Sequence, residues 1–93
     1  MNSTNALLLA GDHFHDPNDA FQGVGSVLEE DGISVRCTED YAGFGKSALE
    51  HHNLLVMHRD GIEFPQGREA GPVPWMVPEQ EEAIEEFVLK GGA

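Results

Sequence analysis

Basic residues are scarce in this chain. The 93 residues contain five Lys or Arg against seventeen Asp or Glu, so the formal net charge is −12. Phosphate backbones and anionic membrane surfaces are bound by clustered Lys and Arg, so we expect neither a nucleic acid partner nor a membrane partner. The excess of acid favours solubility, and it suits a cationic partner or a metal ion.

Cysteine and long apolar runs are scarce as well. Cys37 is the single cysteine, which excludes an internal disulfide. The apolar runs are too short for a signal peptide or a membrane span, so we expect a cytoplasmic protein. Asn2-Ser3-Thr4 fits a glycosylation sequon, but without a secretion signal we interpret it as part of a disordered N-terminal tail.

The apolar residues that are present alternate between strand-like and helix-like spacing. Strands are predicted at 6–10, 33–37 and 54–57, and helices at 20–28, 46–51 and 78–90. Asn18 or Asp19 is the predicted cap of the first helix. The Pro-rich and Gly-rich segment 59–77 is predicted to be a long loop, either functional or disordered.

Strand and helix alternation of this kind predicts one small α/β domain with a parallel sheet and right-handed crossovers. We expect a three-layer, flavodoxin-like arrangement with strand order 2-1-3, truncated after the third helix. The first helix would cover one face and the later two the other. The third strand, 54–57, is apolar at every position, which is typical of a strand covered on both faces. This order nevertheless leaves it as a bare edge.

Polar side chains follow two of the predicted strands. Asp12, His13 and His15 follow the first strand, and His58 and Asp60 follow the third. In open α/β sheets, ligands bind beyond the carboxyl ends of the strands. The pattern therefore predicts Asp12, His58 and Asp60 as ligand-binding residues and His13 and His15 as metal ligands. A divalent metal such as zinc suits these side chains, with His58 as the third group. The alternative is a solvated polar loop.

Trp75 lies in the predicted long loop. An aromatic side chain in such a loop either stacks on a sugar ring or anchors the loop to the core. Trp75 is accordingly a fourth candidate for ligand binding.

Three segments carry a family resemblance. They are Gly11-Asp12-His13 with His15, then Asn53-Leu54-Leu55-Val56-Met57 running into Arg59-Asp60-Gly61, and Pro78-Glu79-Gln80-Glu81 leading to Phe87-Val88 and Gly91-Gly92. Together they resemble the ThuA-like family, named for trehalose utilisation, whose fold is related to class I glutamine amidotransferases. The resemblance implies a single partial ThuA-like domain over 1–93, equivalent to the N-terminal part of longer family members. Glutaminase activity is not implied, because the amidotransferase nucleophile would lie beyond Ala93.

Two functions of different class follow. The first is the N-terminal portion of a ThuA-like protein associated with utilisation of trehalose-type sugars, with a small sugar ligand. We expect these residues alone to be inactive, because a catalytic site needs groups from several strand ends, and no catalytic residue is assigned. The second is a non-enzymatic interaction module that pairs its third strand with a partner strand or a second copy. We expect such a homo-oligomer to form through the edge of the third strand.

Overall fold

A three-stranded parallel sheet forms the centre of the fold. In the computed structural model, which describes residues 4–93, β1 (Asn5–Ala10) lies between β2 (Ser34–Thr38) and β3 (Leu54–His58). Leu8 of β1 lies opposite Cys37 on one side and Val56 on the other. The predicted α/β class and the strand order 2-1-3 are confirmed. The tail prediction concerns mainly residues 1–3, which lie outside the described residues.

β1 is buried on both faces because helices cover both sides of the sheet. Leu7, Leu8 and Leu9 are completely or almost completely buried. Side chains alternate between the faces of a strand, so Leu8 packs in one layer and its neighbours in the other. The layer containing Leu8 also holds Ala10 and Ala20 with Val35, Cys37 and Val56 at its margin. The opposite layer contains Leu7, Leu9, Phe44, Leu49, Trp75 and Ala83.

The first helical segment begins earlier than predicted. It comprises α1 (Pro17–Ala20), a π-helical segment (Phe21–Gly25) and α2 (Ser26–Glu30). The predicted cap at Asn18 or Asp19 is wrong, because the carboxylate of Asp16 accepts a hydrogen bond from the Asn18 N–H at 2.9 Å. Pro17 then occupies the first helical position, where its missing N–H costs nothing.

Two helices cover the other face of the sheet. They are α3 (Lys46–Leu49) and α4 (Pro78–Leu89), and both contribute buried side chains to the layer containing Leu7 and Leu9. The predicted start of the last helix at Pro78 is confirmed. The predicted ion pair after the middle of this helix is also present, with Lys90 Nζ 2.8 Å from Glu86 Oε1.

The segment 59–77 is neither irregular throughout nor detached from the core. β4 (Ile62–Glu63) pairs antiparallel with β5 (Val73–Pro74), and a 3₁₀ turn (Arg68–Ala70) lies between them. Trp75 follows directly and is only 9% exposed. Backbone pairing and one buried aromatic ring therefore fix this segment above the carboxyl edge of the sheet.

The outer side of β3 carries the last residue of the chain. The Ala93 N–H donates to the Asn53 carbonyl at 3.0 Å, and the Leu55 N–H donates to the Ala93 carbonyl at 2.7 Å. Beyond this contact β3 is an edge strand among the described residues.

In residues 4–93, no helix is both long enough and apolar enough to span a membrane.

Candidate functional site

Asp12 connects the two loops that follow β1 and β3. Its carboxylate accepts hydrogen bonds from the Phe14 N–H at 2.7 Å and from the Asp60 N–H at 2.6 Å. It also contacts Nδ1 of His15 at 2.7 and 2.8 Å. Its side chain has no exposed surface. Two predicted ligand-binding residues, Asp12 and Asp60, are thereby brought together at the carboxyl edge of the sheet.

The surroundings of Asp12 favour its ionised form. Desolvation by itself raises the pKa of a carboxyl group, but the two backbone N–H donors and His15 outweigh that effect and lower the pKa of Asp12 to about 2. Asp12 is therefore ionised at neutral pH, and its negative charge is held by the loop backbone. Since both of its oxygens are engaged, its main role is to fix the loops and the His15 ring.

His15 and His58 lie next to each other, whereas His13 lies elsewhere. The rings of His15 and His58 are 5.6 Å apart between centroids and nearly perpendicular. His13 instead packs on Phe14 and Phe64, with centroid distances of 5.1 and 4.9 Å. The structure thus groups one of the two predicted metal ligands, His15, with His58. In the described part of the chain no three His, Cys, Asp or Glu side chains form a group that could hold a metal ion.

A small aromatic cluster surrounds His13. The Phe14 and Phe64 rings are 6.1 Å apart between centroids. The Arg68 guanidinium carbon lies 5.3 Å from the centre of the Phe14 ring and 5.9 Å from that of Phe64. Phe14 remains 54% exposed. This cluster joins the loop after β1 to the segment between β4 and β5, and it offers an aromatic edge to solvent.

Arg59 is a basic side chain buried at this edge. Its guanidinium carbon lies 4.4 Å from the Tyr41 ring centre and 5.0 Å from that of Trp75, so it is held by cation–π contacts. Nη2 forms an ion pair with Glu63, and Nε donates to the Asp60 carbonyl at 3.2 Å. The side chain is 1% exposed, and Nη1 has no hydrogen-bond partner among the described residues.

Trp75 occupies an anchoring position. Its indole N–H donates to the Asp60 carbonyl at 2.8 Å, and its ring packs edge-on against Tyr41 and Phe44. The stacking role predicted for Trp75 would require the ring to leave these contacts. Of the two interpretations that the sequence left open, loop anchoring fits the burial of this ring.

Gln80 fastens the same region from the side of α4. Its amide nitrogen donates to the carbonyls of Tyr41 and Phe44 at 2.8 and 2.9 Å, and its amide oxygen accepts from the Val77 N–H. Gln80 is buried, and its hydrogen bonds hold the loop after β2 against the start of α4.

Sequence reasoning missed Arg59 and Glu63 as parts of this edge. Arg59 follows β3 directly, so its position at a strand end was a usable signal, as it was for His58 and Asp60. The pairing with Tyr41 gives no local signal, since it joins loops that follow different strands.

A cavity of about 280 Å³ lies at the opposite end of β3, between α3 and α4. Its walls include Lys46, Asn53, Phe87 and Lys90. None of the predicted site residues contributes to it. The candidate site is therefore the open carboxyl edge of the sheet, not this cavity.

Comparison with protein-family models, curated proteins and solved structures gives no match for this chain. The resemblance to the ThuA-like family remains a prediction from the three sequence segments.

Proposed function

We propose that these residues form the N-terminal part of a larger flavodoxin-like domain of the ThuA-like type, concerned with trehalose-type sugars. In this proposal a further parallel strand lies on the outer side of β3, and a small sugar ligand binds at the carboxyl edge near Asp12, His58 and Asp60. These residues alone are not catalytic, because the strand ends that would complete the site are supplied by the rest of the domain.

The observation that carries the proposal is the position of Ala93. Its N–H and carbonyl bond to Asn53 and Leu55, on either side of Leu54. In a parallel ladder, a residue donates to the residue before its partner and accepts from the residue after it. Ala93 bonds to the residues around Leu54 in this way. The outer side of β3 therefore already holds the first step of a parallel strand, which supports continuation of the sheet in that direction.

The exposure of β3 agrees with this interpretation. Met57 is 41% exposed although it lies in an apolar strand, and Leu54, Leu55 and Val56 are only half-buried. A neighbouring strand would cover these side chains and pair the backbone groups of the edge. Burial of the apolar side chains and pairing of the backbone groups would both stabilise the folded state.

The carboxyl edge supports the sugar part of the proposal. The Asp12 carboxylate holds the Asp60 backbone at 2.6 Å, so the loops after β1 and β3 form one polar surface. His58 is exposed beside it. The Asp60 carboxylate and the His58 imidazole can form hydrogen bonds with hydroxyl groups, as sugar recognition requires, while the buried Asp12 carboxylate holds their loop in place.

The sheet proposal is tested by adding the strand. Five residues that alternate Val and Thr are appended after Ala93, and hydrogen exchange and urea unfolding are measured. We expect slower exchange at the Leu55 and Met57 amides and a gain of about 1–3 kcal/mol in the free energy of unfolding, because cross-strand pairs contribute up to about 1 kcal/mol each. The control extension has the same length with two prolines, which cannot donate to a ladder.

Equal exchange rates in the two extended proteins would contradict the sheet proposal.

The sugar proposal is tested separately by titrating trehalose into the strand-extended protein while following backbone NMR signals. We expect shifts confined to Asp12, His58, Asp60 and their neighbours. Shifts spread evenly over the surface, or none at all, would remove the sugar ligand and leave the added strand in place.

A second candidate function is a non-enzymatic interaction module. The observation that favours it is the remainder of the same edge, where Met57 is exposed beyond the contact with Ala93. A second copy of the chain is the partner we consider, since two β3 edges could pair antiparallel about a two-fold axis. The oligomeric state of the chain in solution distinguishes the interaction module from the ThuA-like function.

A further inference from the structure

We propose that His15 and His58 form a two-histidine binding site for a divalent transition metal, with zinc as the representative ion and Asp12 as the residue that positions His15. The inference does not depend on the added strand or on the sugar ligand. Of the three histidines that the sequence suggests, it keeps His15 and His58, which lie at two different strand ends, and leaves out His13.

The arrangement of His15 is the first support. Asp12 occupies Nδ1 at 2.7 Å, so Nε2 is the nitrogen left for a ligand. Histidines that bind metals almost always give their other ring nitrogen to a carboxylate or carbonyl, which fixes the tautomer and the ring orientation. The Asp12 carboxylate is fully buried and held by two backbone N–H groups, so it is a rigid support for the ring.

The distance between the two rings is the second support. Zinc lies about 2.0–2.1 Å from a ligating imidazole nitrogen, so each ring centroid lies about 3.2 Å from the ion. Two imidazole rings bound to one tetrahedral zinc ion therefore have centroids about 5.2 Å apart, close to the 5.6 Å between His15 and His58. Binding in this way requires the two Nε2 atoms to turn toward a common point, which rotation of the two exposed side chains allows.

Exposure and charge are the third support. The His15 side chain is half exposed, and His58 is also exposed, so an ion can reach both from solvent. The chain has a net charge of −12, and Asp12, Asp16 and Asp60 are close along the chain to the two histidines. This field concentrates cations near the site. With two protein ligands, the ion keeps open positions for water or for an oxygen of a bound molecule.

His13 provides the matched control. It is two residues from His15, but its ring packs on Phe14 and Phe64. His13→Ala should leave zinc affinity unchanged, whereas His15→Ala and His58→Ala should each lower it at least about 10-fold. Asp12→Asn should lower it about 10–100-fold, because the ring loses its carboxylate support. The measurement is calorimetric titration of the full chain with zinc chloride, repeated with cobalt chloride to read ligand geometry from its absorption spectrum.

The outcomes separate cleanly. One zinc per chain, lost in both His15→Ala and His58→Ala and kept in His13→Ala, establishes the site. Loss in His13→Ala with retention in His58→Ala overturns it in favour of the neighbouring histidine pair. Retention in all three variants, or no binding by the unaltered chain up to roughly 1 mM zinc, also overturns it. Asp12→Asn is interpreted only after circular dichroism shows an unchanged fold, and His15→Gln repeats the test with a smaller change in volume.

Discussion

At the scale of single residues, Asp12 does two things at once. Its carboxylate accepts backbone N–H groups from its own loop and from the loop after β3, and it fixes the His15 ring. A single buried carboxylate therefore determines how close the two loops lie. Hydrogen bonds to a charged group each contribute about 1.5–3 kcal/mol, so this residue matters for the stability of the edge as well as for its chemistry.

The low pKa of Asp12 makes a prediction for acid stability. The pKa lies near 2 in the folded chain against an ordinary value of 3.8, so the stabilisation is complete above pH 3.8 and is lost as the pH falls towards 2. Asp12→Asn should lose about 2 kcal/mol at neutral pH and show a flatter decline between pH 4 and 2. The measurement is urea unfolding across that range.

Glu30→Gln is the control, because it also removes one negative charge but alters an exposed side chain. Its pH dependence should follow that of the unaltered protein. If Asp12→Asn and Glu30→Gln gave the same curve, the hydrogen bonds to Asp12 would not be the source of acid sensitivity.

Arg59 is the second residue on which the edge depends. Arg59→Ala removes a guanidinium between two aromatic rings and leaves Glu63 without its partner, so we expect a loss of about 3 kcal/mol. Arg59→Met combined with Glu63→Gln keeps the packing and removes both charges. This pair should cost about 1 kcal/mol or less, because a balanced apolar replacement of an ion pair is often neutral.

Trp75 is the only tryptophan and lies against Arg59. Its fluorescence can therefore follow the unfolding of the Arg59→Ala variant and of the double variant. A loss in the double variant as large as that in Arg59→Ala would show that charge, not packing, dominates here. The sequence could not predict this contact, because Tyr41 and Trp75 approach Arg59 from segments far apart in the chain.

At the scale of elements, apolar spacing predicted the three strands and the last helix, since each buries side chains at regular intervals. Leu7 and Leu9 pack in one layer and Leu8 in the other, as alternation requires. The cap of the first helix was misplaced because Asp16, Asn18 and Asp19 are all suitable caps by residue type. Pro17 distinguishes them, since it favours the first helical position and so assigns the cap to Asp16.

The glycines in and beside the helices have opposite roles. Gly23 has open space where a Cβ would be placed, so Gly23→Ala should stabilise the protein by about 0.4–1 kcal/mol through the unfolded chain. A Cβ on Gly92 would lie 2.5 Å from ring atoms of Phe87. Because that ring packs against the core, Gly92→Ala should destabilise by at least about 1 kcal/mol.

Thermal and urea unfolding of both variants check this contrast, and each serves as the control for the other. Stabilisation by Gly92→Ala would mean that Phe87 moves away at no cost. Destabilisation by Gly23→Ala would mean that the π-helical segment requires glycine for its backbone and not merely tolerates it.

At the scale of the whole molecule, the chain is flat. Its radius of gyration is 14.0 Å, above the roughly 12 Å typical of a compact domain of this length, and its smallest extent is 14 Å. Among the described residues, β3 has no neighbouring strand along most of its outer side. The strand order predicted this edge, but the contact with Ala93 could not be predicted, because it depends on where the turn after α4 places the chain.

Two opposing effects act on self-association through β3, which are burial of the apolar edge and repulsion between the negatively charged chains. Each copy carries a net charge of −12, so two copies repel one another at low ionic strength. If the edge pairs with a second copy, dimer formation should increase with salt, because screening weakens the repulsion while backbone pairing and Met57 burial remain. Met57→Lys should then abolish the dimer by placing an ammonium group in the interface.

Val27→Lys is the matched control, since Val27 is 63% exposed on α2 and the substitution adds the same charge. Sedimentation velocity at low and high salt should show dimer in the unaltered and Val27→Lys proteins and monomer in Met57→Lys. Loss of the dimer in both variants would assign it to charge alone or to another face. A monomer at every salt concentration would remove the second copy as occupant of the edge and leave the parallel strand that Ala93 begins as its remaining partner.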